Sequence, residues 1–441
     1  MTRVFPAHTY GPRPREKCYW ATTTEAVPRD TAKGTIKADV AIIGAGFTGL
    51  SAALHLAQDG ADVVVLEAEH IGWGASGRNG GFCCLGGSAA SDQILAGFYG
   101  EAARQDFRKI EIEAVNLATS LIKDHDIPAD VHSKGETLMA HTQKAFDGFE
   151  KLAGKVEDDF GVTPTILARS ALAQNGMDGP FFGAITTPIG FALNPVKYAG
   201  GLARATSLAG VRIFENSPVN HIEQSADYTL STPEAQVTCK RLIIATNGYS
   251  SDNLPPWMRA RYLPTQSNVL VTREMSEDEI ATQGWSTNQM CYDDRYFLHY
   301  FRLMPNRRML FGMRGGLFSA NWADRRMHHN IRKHFERMFP AWAHVETPHS
   351  WNGLLSISRD LTPYAGPIPE MPGAFTALSF HGNGVAMGTY AGALLADLVQ
   401  GKTPSRPYGT ILSTPPKKFP LGRFRRACIW PVYAAAVLSG S

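Results

Sequence analysis

A surplus of either charge is nearly absent: 43 Lys and Arg stand against 40 Asp and Glu, a formal +3 over 441 residues. So small an excess gives no reason to expect nucleic acid, and no basic stripe interleaved with aromatics runs along the chain. Cysteine is sparse, with six residues at 18, 83, 84, 239, 291 and 428. None form a CxxC pair, and adjacent Cys83 and Cys84 are badly placed to bond each other, so a reduced, cytoplasmic setting is expected. No run reaches the ~20 apolar residues that span a bilayer. The opening MTRVFPAHTYGPRPREKCYW lacks the apolar core of a signal peptide. Internal repeats and low-complexity tracts are missing too. What remains is an ordinary globular composition, 44% apolar and 19% charged. It is long enough for two domains, or for one with a long insertion.

Residues 1–36, rich in Pro, Thr and charge, read as an irregular arm. ADVAIIGAG then makes a short apolar strand running into glycine. TGLSAALHLAQDG follows with Leu50, Ala53, Leu54 and Ala57 at helical spacing and Gly60 as C-cap. ADVVVLEAE is a second apolar strand, so the unit is β-α-β in a parallel sheet covered on both faces. A helix is expected over about 100–125, strand and loop over 179–195, and a helix then a strand over PVKYAGGLARATSLAGVRIFEN. Strands and turns are expected over 261–316, and a helix after HGNG ending at Gly401. The tail KKFPLGRFRRACIWPVYAAAVL admits a membrane-surface contact or packing on the body, and packing is the expectation.

GAGFTG places Gly44, Gly46 and Gly49 in a GxGxxG pattern. The first glycine permits a tight turn, the second lets a pyrophosphate approach the backbone, and the third lets helix and strand pack closely. The N-terminus of the following helix, at Phe47 and Thr48, offers free N–H groups to phosphates. Glu67 ends the next strand about 20 residues on, where such units hold ribose hydroxyls. Dinucleotide binding follows from this context, and NAD and FAD remain to be separated. The stretch after the carboxylate, Ala68 through Gly74, Ala75, Ser76, Arg78, Asn79, Gly80 and Gly81, supplies more flexible lining than a nicotinamide protein needs. Glycines there let backbone lie against a flat ring system.

These residues resemble the amine- and amino-acid-oxidising flavoproteins that include D-amino-acid oxidase, glycine oxidase and sarcosine oxidase. LIIATNGYS (242–250) and FHGNGVAMG (380–388) resemble two further motifs of that family, and WNGLLSISRDLTPYAGP the segment before the second. GWGASGRNGG, PIGFALNPVKYAGGLARA and FPLGRFRR are most similar to its γ-glutamylputrescine-oxidising branch. The resemblance spans about residues 37–400. It implies FAD as cofactor, with Val219, Ala245, Thr246 and Asn247 beside it. Gly382, Asn383, Gly384, Val385 and Ala386 start a helix against the pyrimidine end of the ring. The implied fold combines α/β and α+β: a Rossmann-like, glutathione-reductase-type FAD-binding domain (37–95, 190–255, 350–405) with an inserted mixed β-sheet substrate domain (96–189, 256–349). The arm 1–36 and the tail 406–441 flank it.

The implied reaction is oxidation of a C–N bond in a small amine, with hydride transfer to flavin N5 and hydrolysis of the imine; oxygen or another electron acceptor takes the electrons. A membrane-surface dehydrogenase feeding quinone and a non-catalytic flavin-binding subunit are the competing readings. CYDDRYFLHYFR (291–302) offers Tyr296, His299 and Arg302 as catalytic candidates, with Tyr296, Leu298 and Tyr300 on one strand face and His299 and Phe301 on the other. An Arg there suits a substrate carboxylate. His381, where the family more often has a small residue, is the fourth candidate, for proton handling or as a flavin neighbour. RRMHHN (325–330) is read as a solvated helix face rather than a metal site.

Overall fold

The computed structural model describes residues 2–431 and 433. The strand Gly34–Ile43 alternates its side chains across the sheet. Val40 and Ile42 enter a core shared with helices, while Ala41 and Ile43 enter a second core on the other side. It runs through Gly44–Gly46 into the helix Phe47–Gln58, which ends as Gly60 takes a positive φ of 86° and returns its N–H to the Ala57 carbonyl. The next strand, Val63–Leu66, pairs in parallel with the first, Val40 opposite Val63 and Ile43 opposite Leu66.

Around this unit the sheet runs Tyr364–Pro367, Ala374–Leu378, Ala235–Ile244, Gly34–Ile43, Val63–Leu66, Arg212–Phe214. Its pairings are parallel apart from the hairpin of the first two strands. Helices Phe47–Gln58, Glu101–Asp124, Pro195–Leu208 and Ala386–Val399 share the core on one face. The other face is covered by an antiparallel ribbon (His221–Gln224, Tyr228–Ser231) and by Trp257, Met258 and Tyr262.

A second sheet of eight strands runs His349–Ile357, Leu263–Val271, Met309–Arg314, His299–Leu303, Met290–Asp293, Glu136–Ala140, Gly183–Thr187, Thr165–Ala168. Only Met290–Asp293 and Glu136–Ala140 pair in parallel. The helix Asn321–Met338, which carries RRMHHN, closes one face over Phe301, Phe311 and Leu270. The other face turns toward the first sheet.

Several expectations are revised. Within the irregular N-terminal arm Cys18 and Trp20 are buried, and Gly34–Ile36 already belong to the first strand, opposite Ala235–Val237. The strand His349–Ile357 pairs along its whole length with Leu263–Val271, so it belongs to the second sheet, not to the dinucleotide part. A helix, Glu277–Gln283, interrupts the 261–316 strands; Ser276 and Glu279 close a reciprocal capping box at its start. No described helix is long and apolar enough to cross a membrane. The described part of the tail packs on the body through Arg425, and the rest of the AAAVL stretch lies outside the described residues.

Candidate active site

A cavity of about 490 Å³ lies between the two sheets. At one end stand the turn and helix start of the first β-α-β unit. Gly44 has φ +104°, and a Cβ there would meet the Ala245 carbonyl oxygen at 2.9 Å. A Cβ on Gly46 would meet Ser76 Oγ at 2.8 Å, the same hydroxyl that accepts the Phe47 N–H at 3.0 Å. These two glycines and the exposed N-terminus of the helix leave a cradle that a side chain would fill, as a pyrophosphate requires. Glu67 accepts the Ala45 N–H at 2.7 Å and the Glu69 N–H at 3.1 Å. Burial pushes its carboxyl above the ordinary value, and the two backbone donors oppose that rise. It is placed to accept from ribose hydroxyls at the cavity edge.

The glycine-rich stretch folds along the cavity as a turn, Ala75–Gly77, held from within. Asn79 Nδ2 donates to the carbonyls of Ala75 and Ser76, and its Oδ1 accepts the Gly81 N–H at 2.7 Å. Arg78, 2% exposed, donates Nε–H to the Trp73 carbonyl, while its Nη2 finds no partner among the described residues. A buried donor left over at a cavity wall fits an acceptor of the cofactor. A second helix, Ala386–Val399, brings its N-terminus to the same space because Gly392 lets it touch the first: a Cβ there would overlap the Thr48 carbonyl, and Ser51 Oγ donates to the Thr389 carbonyl at 2.7 Å. The two positive helix ends converge.

Of the residues expected beside the dinucleotide, Gly44, Gly46, Phe47, Thr48, Glu67, Ala68, Gly74, Ala75, Ser76, Arg78, Asn79, Gly80, Val219, Ala245, Thr246, Asn247, Gly382, Asn383, Gly384 and Val385 line the cavity. Gly49, Gly81 and Ala386 do not. Gly49 lies behind Gly44, Gly81 lies against the Leu193 carbonyl, and Ala386 opens the second helix.

The catalytic candidates divide. His381 lines the cavity. Its Nδ1 donates to the Gly87 carbonyl at 2.8 Å and its Nε2 accepts the Ser358 N–H at 3.2 Å, which fixes one neutral tautomer. Burial and nearby Arg314 push it down to about 4. Tyr296, His299 and Arg302 are not at the cavity. The strand begins at His299, so Tyr296 stands in the preceding turn, 60% exposed. His299 faces the opposite core, where Nδ1 meets Asp293 Oδ2 at 2.6 Å and the ring stacks on Phe311. Arg302 shares the cavity-facing side of the strand but lies beyond the cavity end, under Gly81, donating to the Leu193 carbonyl at 2.7 Å. Leu298 and Tyr300 line the cavity together, as their shared strand face implies.

Among the lining groups that the sequence reading did not single out are Glu136, Tyr292 and Arg314, from three strands of the second sheet. Arg314 is half-buried, its guanidinium makes no hydrogen bond or ion pair with a described residue, and burial lowers its pKa. Glu136 is 9% exposed, and among the described residues its carboxyl bonds only the Cys84 thiol. Burial pushes the Cys84 thiol well up, against nucleophilic use.

Residues 39–398 match the model of the FAD dependent oxidoreductase (DAO) family. Among curated proteins, the γ-glutamylputrescine oxidoreductase of Escherichia coli (strain K12) is 31% identical over 410 residues, 92% of this chain and 94% of that protein. The glycine oxidase of Bacillus subtilis (strain 168) is 21% identical over 82% of this chain and 93% of that one. The crystal structure of glycine oxidase from Geobacillus kaustophilus superposes with a TM-score of 0.69 at 21% identity, covering 86% of this chain and 99% of that one.

Proposed function

Since the chain belongs to the FAD dependent oxidoreductase family and is an FAD-dependent amine or amino-acid oxidoreductase, we propose that it oxidises a C–N bond in an amine that also bears a carboxylate, of the γ-glutamylputrescine kind. The observation that carries the reading is one continuous cavity. It joins the dinucleotide cradle at Gly44 and Glu67 to a chamber holding the Arg314 guanidinium, with no acceptor among the described residues, and the Glu136 carboxyl, with no cationic partner among them.

Bound FAD supplies the two-electron acceptor. Gly46 and the start of the helix Phe47–Gln58 would hold its diphosphate, Glu67 its ribose, and Arg78 an acceptor along the glycine-rich turn. Arg314 takes the substrate carboxylate in a charge-assisted pair. Tyr300, Tyr292 and Leu298 exclude water from the carbon that is oxidised, and the imine product hydrolyses to an aldehyde or keto compound. His381, with both ring nitrogens engaged by backbone, positions the segment Phe380–Gly382 rather than moving protons. In this reading the first sheet is the FAD-binding domain and the second forms the substrate domain.

Anaerobic mixing of the yellow holoprotein with γ-glutamylputrescine, putrescine, glycine and proline tests the reading. Absorbance near about 450 nm should bleach with at least the first. Protein that stays yellow with every amine sinks it. Oxygen uptake during turnover then separates oxygen from another acceptor.

A second reading has one observation in its favour. Leu421, Phe424 and Trp430 are 60%, 63% and 51% exposed and flank Arg423, as in a segment that rests on a lipid surface and passes electrons to quinone. Sedimentation with anionic vesicles, lost in a Phe424→Ser, Trp430→Ser variant, would favour it.

A further inference from the structure

Glu136 opens the strand Glu136–Ala140, between Met290–Asp293 and Gly183–Thr187. Its carboxyl lines the cavity and is nearly cut off from solvent. An ionised carboxylate in such a place needs a cation or several donors. Among the described residues it has neither, because its one hydrogen-bonding partner is the Cys84 thiol. The groups that bear on it come from four elements. Cys84 approaches from the loop after Phe82–Cys83, and Tyr292 from the neighbouring strand. Glu111 lies on the helix Glu101–Asp124 and is itself held by Arg108. Arg314 bears on Cys84 and Tyr292 without pairing with Glu136. Burial, joined by Glu111 and opposed by the Cys84 contact, lifts the carboxyl to about 8.

The chemistry of the proposed reaction needs such a group. An amine reaches the site mostly as ammonium, which has no lone pair to assist loss of hydrogen from its α-carbon. A base that exchanges protons near neutrality is suited to removing that proton. The other titratable groups at this end are unsuited. His381 has both nitrogens engaged, and burial pushes the Cys84 thiol and the phenols of Tyr292 and Tyr300 upward.

We propose that Glu136 is the acid–base residue of the reaction, its carboxylate taking one proton from the substrate ammonium. One N–H bond breaks and one O–H bond forms, leaving a neutral amine and a neutral carboxyl, with no change in oxidation state. The proton leaves with product or to water before the next substrate enters. The same cavity thereby recognises a zwitterion from both ends, carboxylate at Arg314 and ammonium at Glu136. The inference rests on the amine-oxidising reading of the site.

The test is the rate of anaerobic flavin reduction by γ-glutamylputrescine as a function of pH, in the parent protein and in Glu136→Gln and Glu136→Asp. The parent should show one ionisation in the enzyme–substrate complex. Glu136→Gln should lose that ionisation and fall about 100-fold or more at neutral pH, and Glu136→Asp should recover part of both. All three should carry equal flavin, which excludes a folding defect. Infrared titration of the holoprotein without amine gives a second readout. A protonated-carboxyl band should persist through neutrality, titrate near about 8 and be missing from Glu136→Gln. A Glu136→Gln profile that superimposes on the parent's, or no such band, overturns the proposal while leaving the amine-oxidising reading intact. A parent that no amine bleaches removes that reading and this inference with it.

Discussion

Gly49 packs so closely behind Gly44 that a Cβ at position 49 would overlap the Gly44 carbonyl oxygen. The third glycine of the pattern thus stands behind the cavity wall, yet it sets the position of the two that line it, because helix and strand can approach only without a side chain. Gly49→Ala should push the helix Phe47–Gln58 off the sheet and cost about 1–3 kcal/mol. It should also lose flavin: the purified variant should be pale, with a lowered melting temperature that added FAD only partly restores. Full flavin content and parent stability would contradict this origin of the motif.

Arg314 presents a guanidinium to the cavity with no acceptor among the described residues. Arg314→Met should weaken binding of γ-glutamylputrescine by about 10- to 100-fold, the range of a lost charge-assisted pair. Putrescine, which lacks the carboxylate, should be affected little. Arg314→Lys should fall between, since a point charge replaces a fork. Equal losses for both amines in a titration of flavin reduction would remove Arg314 from carboxylate recognition.

The contrast between Gly44, Gly46, Gly49 and Glu67 on one side and Glu136, Tyr292 and Arg314 on the other shows what a single sequence can disclose. The first set is local: one strand, one turn, one helix and the next strand, with spacing fixed by the covalent chain, so the cradle is readable at a glance. The second set meets only because Met290–Asp293 pairs with Glu136–Ala140 across more than 150 intervening residues. Nothing near Glu136 in the sequence signals that register. Within CYDDRYFLHYFR, the alternation grouped Leu298 with Tyr300 on one face, without telling which face meets the cavity. It could not show that the strand starts at His299, which puts Tyr296 in a turn and leaves Arg302 beyond the cavity end. The helix Glu277–Gln283 carried a readable start in Ser276 and Glu279, but the apolar strands on either side dominated the pattern.

That reassignment is itself testable. Tyr296→Phe removes only an exposed hydroxyl and should leave stability within about 0.5 kcal/mol and the rate of flavin reduction unchanged. His299→Ala should instead strip one side-chain partner from the buried Asp293 carboxylate, which keeps Arg295 and the His299 backbone N–H, and cost about 1–3 kcal/mol by urea denaturation. A reduction rate in folded His299→Ala that drops 100-fold would return His299 to the catalytic machinery.

Glu136 also makes a stability prediction whose sign follows from proton counting. The native protein keeps the Glu136 proton up to about pH 8, whereas the unfolded chain releases it near 4.5. Between those values the native state binds more protons, so this group's contribution falls as pH rises and reaches its full cost above about 8. Glu136→Gln should therefore gain stability over the parent on going from pH about 5 to about 9, by as much as a few kcal/mol. Parallel melting curves for the two proteins across that range would show that the carboxyl is already ionised in the native state.

The C-terminal segment is held by an ion pair that water does not reach. Arg425 donates from Nη1 to Asp252 Oδ2 at 2.8 Å and from Nη2 to Oδ1 at 2.6 Å, and from Nε to the Tyr262 carbonyl at 2.7 Å, with its side chain fully buried. The Asp252 N–H donates to the Thr2 carbonyl, so the same residue ties down both ends of the described chain. Breaking such a pair from one side leaves a charge in a dry place and costs about 3–5 kcal/mol, whereas replacing both partners by apolar groups removes most of that penalty. Asp252→Asn should lower stability by that amount in urea. It should also make the chain sensitive to limited proteolysis near both termini. Asp252→Leu combined with Arg425→Leu should recover much of the loss, and flavin content should stay that of the parent, since neither residue lines the cavity. A double variant no more stable than Asp252→Asn would mean that the pair, and not the burial of an uncompensated charge, supplies the stability.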